Sequence, residues 1–242
     1  MTCLTCRYLP NLRYIARLCE VERAVILDLA PLANRNRNSF VSRNRICERT
    51  GRTIWLSIPV HRKGAISTQD VNVDESSHNW IEKHMKSIAH AYPNHTNVAG
   101  NFLDRLREVL IQNRDKLIDI NLHSLNLILE TLSLRNIDFI RQSTLLSKHT
   151  KHHRLEVAEA LSATTYISGE VEWGLMEKFN EIERLKERGI KVLKTPSLDP
   201  LVFNVLQARE LSCIHSICTL GPKKTRTLID QMVQSLKSRL EE

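Results

Sequence analysis

SFVSRNRICERTGRTIWLSIPV, residues Ser39 to Val60, is the stretch on which the reading of the chain turns. Two alternating runs, Phe40–Cys47 and Thr53–Val60, flank a short polar turn containing Gly51, which is the sequence form of a β-hairpin. Side chains alternate faces along a strand. Arg43 and Arg45 therefore share one face of the first run, and Phe40, Asn44 and Ile46 the other. Two guanidiniums point the same way, toward any anion held at the sheet.

Upstream of the hairpin, Cys3–Tyr8 reads as a short opening strand, and Leu9-Pro10 turns the chain into an amphipathic segment, Asn11–Val21, with Ile15, Leu18 and Cys19 on its buried side. Ala24–Leu29 follows, a continuous apolar run with an acid near its end. Such a run reads as a strand buried on both faces, and the three elements form a strand–helix–strand unit. Asp28 then falls near the carboxyl edge of a parallel sheet, where ligands of open α/β sheets bind; a capping or turn aspartate is the alternative. The polar segment PLANRNRN adds Arg35 and Arg37, and His61-Arg62-Lys63-Gly64 follows the hairpin. Charge clustered around the arginine-bearing strand suits phosphate.

After a weaker alternating run, Ser67–Val73, the pattern turns helical. Ser76 or Ser77 can cap a helix carrying Trp80, Ile81, His84, Met85, Ile88 and Ala89. Helices are expected over Asn97–Asn113 and Asp115–Leu134, the second with His123 and Glu130 on its surface. Strands at Ile137–Arg141, Thr164–Ser168 and Ile190–Leu193 alternate with helices at Leu155–Leu161 and Trp173–Arg188, the latter stopped by Gly189. Helices over Arg209–Leu220 and Lys223–Glu242 complete the chain. The expected fold is α/β: a mainly parallel sheet covered by helices, with an attached β-hairpin and a helical C-terminus. One domain, 1–242, is expected to contain a helical insertion at 75–134 and C-terminal helices over 206–242.

A formal net charge of +8 favours phosphorylated ligands, nucleic acid or anionic headgroups, unless the surplus is only a solvated surface. No apolar run approaches the roughly 20 residues of a membrane span. MTCLTCRYLPNLR has no apolar core of signal-peptide length, and a cytoplasmic location is expected. No metal site is expected. Cys3 and Cys6 lack a second ligand pair, and Lys148–His153, with lysines interleaved among its histidines, reads as a basic helix-start loop. No cofactor is implied. Cys6, beside Arg7, is either an activated thiol or buried packing.

Several short stretches, in order along the chain, carry a family resemblance: Tyr8-Leu9-Pro10, Ile26-Leu27-Asp28, Arg43-Asn44-Arg45-Ile46, Trp55–Val60, Thr165–Gly169, Gly189–Val192, Asp199-Pro200, Leu211-Ser212 and Gly221-Pro222. Together they resemble the WbqC-like protein family, associated with surface-polysaccharide gene clusters. The resemblance implies transfer of an acyl or aminoacyl group onto an amine in glycan or related small-molecule biosynthesis. It places Tyr8, Asn44, Ser168 and Gly169 beside Arg43 and Arg45 as substrate-binding residues. The partner it implies is a phosphorylated or nucleotide-linked small molecule. Asp28 is then the available base and the arginines the available cations.

The chain departs from the family where chemistry is expected. Leu4-Thr5-Cys6 stands where members usually carry histidine-glutamine-proline, Leu29 where a second acid is common, and Asp199 where a histidine is expected. His215 stands where an aspartate is usual; it is either the replacement catalytic group or a core or surface histidine. The alternative function is a non-catalytic protein or an RNA binder, tRNA included, using Arg35, Arg37, Arg43, Arg45, Arg62, Lys63 and Trp55.

Overall fold

A computed structural model describes residues 1–32, 40–61, 66–74, 76–77, 79–134, 137–150, 152–195 and 211–238. The opening strand–helix–strand unit is present as β1 (Thr2–Leu4), α1 (Leu12–Leu18) and β2 (Arg23–Ile26). Asn11 caps α1, its side chain accepting from the Tyr14 N–H at 3.0 Å. The strands are shorter than their apolar runs because pairing, which hydrophobicity alone does not limit, sets their ends. β1 and β2 pair in parallel, and β2 pairs in parallel with β5 (Asp138–Arg141). A second parallel pair is made by β6 (Thr165–Ser168) and β7 (Lys191–Lys194).

The two parallel sheets meet edge to edge. The Ile167 N–H donates to Met1 O at 2.9 Å, and the Met1 amino group donates to Thr165 O at 2.8 Å. That is the slanted bonding of a parallel pair, so the strands lie side by side in the order β5-β2-β1-β6-β7. Both faces are covered, as the run Ala24–Leu29 implies. Leu4, Ala24 and Ile167 face one apolar cluster, which includes α1 and α5 (Leu117–Thr131). Cys3, Val25 and Tyr166 face a second cluster with α6 (His153–Ala160), α7 (Glu170–Lys178) and α8 (Glu181–Glu187). The α1 connection therefore covers one face and the α6 connection the other. Strand order reverses between β1 and β6, which makes their carboxyl ends the switch point of the sheet.

The hairpin pairs β3 (Arg43–Cys47) with β4 (Thr53–Ser57) in antiparallel register, Arg45 opposite Trp55. Gly51 holds φ 84° in its turn. It is a separate two-stranded sheet, joined to the first cluster through Ile46, Leu56 and Ile58. Between hairpin and β5 lie α2 (Trp80–Ala91), α3 (His95–Ala99), α4 (Phe102–Gln112) and α5, and α9 (Cys213–Leu220) and α10 (Pro222–Ser238) close the described chain.

Two expected elements differ. The helix expected over Asn97–Asn113 divides at Gly100, whose φ of 60° an α-helix cannot contain. Trp173–Arg188 divides at Asn180, also left-handed with φ 55°. Helical periodicity continues through both breaks, so the apolar pattern conceals them. The weaker alternating run Ser67–Val73 holds a 3-10 turn at Thr68–Asp70, flanked by isolated bridges at Ser67, Asn72 and Val73.

Candidate functional site: an arginine–aromatic face beside the sheet edge

The loop after β1 is shaped by the hairpin. Asn44, buried, donates from Nδ2 to Tyr8 O at 3.1 Å and Leu9 O at 2.7 Å, while its Oδ1 accepts from the Arg45 N–H. The Tyr8 N–H donates to Phe40 O at 3.0 Å. These bonds hold Leu9 at φ 43°, an unusual value for a branched residue. The α9 start is tied to the same place, with the Ser212 N–H on Arg45 O and the Cys213 N–H on Pro10 O. Tyr8-Leu9-Pro10, Arg43-Asn44-Arg45 and Leu211-Ser212 thus meet at one point.

Tyr8 is fully buried, and its hydroxyl lies 3.0 Å from His84 Nδ1. His84 Nε2 is 3.2 Å from Ser57 O, a carbonyl that can only accept, so Nε2 carries the proton and Nδ1 accepts from Tyr8. Burial pushes the His84 pKa down to about 4. Tyr8 and Asn44 form the floor of the site, their polar atoms committed inside the protein.

Above that floor, rings and guanidiniums alternate. Arg43 lies 4.3 Å and Arg45 5.1 Å from the Trp55 ring centroid; Arg45 lies 5.9 Å from Phe40; Arg7 lies 5.7 Å from Phe40 and 5.6 Å from Tyr14. Phe40 also stacks on Trp55 at 6.2 Å. Phe40 is consequently on the arginine face rather than the Asn44 face, since it precedes β3 and strand alternation does not extend to it. Trp55, 41% exposed, ends the series at the surface. Period-two spacing revealed Arg43 and Arg45; nothing in sequence linked Arg7 to them.

At the sheet edge, Asp28 is completely buried. Its Oδ2 accepts from Arg141 Nε at 2.7 Å and Ser143 Oγ at 2.6 Å, and its Oδ1 from the Ser143 N–H at 2.9 Å. The carboxylate is committed to the exit of β5, and Arg43 and Arg45 are not among these partners. Cys6 is buried, and desolvation raises its thiol pKa. That is packing chemistry, opposite to an activated thiol. Leu4 also points into the apolar cluster.

Ser168 and Gly169 occupy the carboxyl end of β6, where the Gly169 N–H lies 3.4 Å from Glu172 Oε2. Beside them is an ion network that sequence gave no sign of. Arg17 Nη2 donates to Glu172 Oε2 at 2.5 Å and to Ile167 O at 2.9 Å. Arg154 donates to Glu172 Oε1 at 2.8 Å and Glu181 Oε2 at 2.7 Å, and Tyr166 adds a hydroxyl to Glu172. Burial alone would raise the Glu172 carboxyl, but Arg17 and Arg154 outweigh it and its pKa is lowered. Burial prevails at Glu181, whose pKa is raised despite Arg154.

His215, on α9, places Nδ1 3.0 Å from the Tyr92 hydroxyl, which also accepts from the Cys47 N–H at 3.2 Å. Desolvation lowers its pKa. It is near the hairpin by way of Ser212 and Tyr92, rather than at the edge that Asp28 occupies. Arg35, Arg37, Arg62, Lys63 and Asp199 lie outside the described residues. Among the described residues, no group of three or more His, Cys, Asp or Glu could hold a metal ion, and no helix is long and apolar enough to cross a membrane.

The architecture is that of an α/β protein with a sheet covered on both faces and an arginine-bearing hairpin beside its switch point. The WbqC-like family model matches residues 6–198, and the chain belongs to that family. Neither the curated proteins nor the solved structures offer a match to it.

Proposed function

We propose that the chain, as a single α/β domain, seats a phosphorylated, nucleotide-linked small molecule on the arginine–aromatic face and transfers an acyl or aminoacyl group to an amine, in surface-glycan or related small-molecule biosynthesis. The observation that carries this reading is the stacking of Arg43 and Arg45 on Trp55, with Phe40 and Arg7 continuing the series. A guanidinium lying on a ring keeps its N–H donors in its own plane, where a phosphate can take two of them. Family membership supports the pathway.

Amide formation requires the amine to lose a proton and the leaving group to be stabilised as charge develops on it. The arginines supply the second need. For the first, His215 is the better-placed candidate: its lowered pKa keeps the ring neutral near pH 7, and α9 docks on the arginine strand. Asp28 contributes by fixing Arg141 and the β5 exit, since a role as base would first require its three hydrogen bonds to break. Ser168 and Gly169 are proposed to border the substrate across the switch point.

The test is binding of a nucleoside diphosphate followed by Trp55 fluorescence. Arg43→Ala or Arg45→Ala should each weaken it by ~1.5–3 kcal/mol, the range for a charged hydrogen bond. Unchanged binding in both would remove the site. Turnover with amino-sugar acceptors and activated acyl donors, aminoacyl-tRNA included, should then fall in His215→Ala. A second reading, RNA binding, is favoured by the exposed Trp55 between two arginines, a stacking surface for an unpaired base. A steep salt dependence would mark contacts along an RNA backbone, a shallow one a small nucleotide.

A further inference from the structure

Arg7, Arg13 and Arg17 lie close enough for their charges to act on one another where the chain leaves β1 and runs into α1. Arg13 donates to Glu170 at 2.9 Å and Arg17 to Glu172 at 2.5 Å. Arg7 has no carboxylate and no hydrogen-bond acceptor among the described residues; it is held only by the Tyr14 and Phe40 rings. It is half-buried, so a ligand can still reach it. A guanidinium withdrawn from water without an acceptor is costly, and the ring contacts offset only part of that cost. Desolvation accordingly pulls its pKa down.

We infer that Arg7 is the anchoring residue for a phosphoryl or diphosphate group entering at the carboxyl end of β1, with the Phe40 and Tyr14 rings fixing the plane of its guanidinium. The inference deepens the proposed function and rests on it for the ligand's class. In that arrangement, the phosphate occupies the shielded end of the ring–guanidinium series, and the rest of the ligand extends along Phe40 toward Trp55. Arg7 belongs to none of the stretches that carry the family resemblance.

Thermal melts of the full chain with inorganic pyrophosphate test this. Wild type should be stabilised in a concentration-dependent way. Arg7→Met, which keeps the length of the side chain against both rings, should melt at or above the wild-type temperature without ligand and respond at least tenfold more weakly. Arg7→Lys should fall between them, because a point charge loses the bidentate bond. No response in wild type, or an undiminished response in Arg7→Met, would overturn the inference. So would Arg7→Met melting well below wild type, which would make the residue a structural tie. If pyrophosphate protection vanishes in Arg43→Ala and Arg45→Ala but survives in Arg7→Met, the phosphate belongs to the hairpin: the inference falls and the proposed function stands. Protection that depends on Arg7, with no turnover in any transfer assay, leaves the inference standing and removes the transferase.

Discussion

Beside the carboxyl end of β6, Arg17 and Arg154 are neutralised within the protein by Glu172 and Glu181. On the hairpin side, Arg43 and Arg45 lie over Trp55, and Arg7 lies between Phe40 and Tyr14. The same residue type serves both regions, and the partner makes the difference. A carboxylate takes the donors of a guanidinium directly, whereas a ring contacts its face. The first region should therefore show itself in stability and the second in binding.

The largest effect is expected at Glu172. Glu172→Ala leaves two buried guanidiniums without their shared acceptor and should cost ~3–5 kcal/mol in denaturant unfolding, the range for breaking a buried ion pair. A loss below ~1 kcal/mol would show that the network is dispensable and erase the contrast. Because the folded pKa of Glu172 is depressed, its contribution is present above the unfolded value of 4.5 and lost as pH falls through the folded value.

His84 should produce a separate acid sensitivity. Its folded pKa of about 4 lies below the unfolded 6.5, so the unfolded chain takes up the proton first. Stability is then full above pH 6.5 and declines as pH falls toward 4, by about 3 kcal/mol at 1.36 kcal/mol per pKa unit. His84→Gln should flatten that part of the profile. An unchanged profile would show that the ring does not titrate against folding. His153, also lowered to about 4 by burial, would carry the remaining slope.

Asp28→Asn sharpens the comparison at the sheet edge, where a carboxylate again meets an arginine. A loss of ~1.5–3 kcal/mol of stability is expected, with nucleoside diphosphate binding within twofold of wild type. Abolished binding with intact stability would return Asp28 to the ligand site. Smallest of all should be the stability change in Arg43→Ala and Arg45→Ala, at most about 1 kcal/mol for a ring contact near the surface, beside their larger effect on binding. A loss comparable to that of Glu172→Ala would make the hairpin arginines structural and dissolve the distinction.

Local order along the chain was enough to identify the hairpin, the Arg43–Arg45 face and a buried parallel strand at Ala24–Ile26, since alternation and unbroken apolar runs are properties of neighbouring residues. Motif order was enough for the family. The partners of the charged groups were beyond its reach. Asp28 finds Arg141 at a separation of 113 residues, and Arg17 finds Glu172 at 155. An acid at a strand end looks the same whether it faces a ligand or an arginine, and Arg7 looks the same as Arg17. Only tertiary packing decided which guanidiniums meet carboxylates and which meet rings, because those partners are brought together from distant parts of the chain.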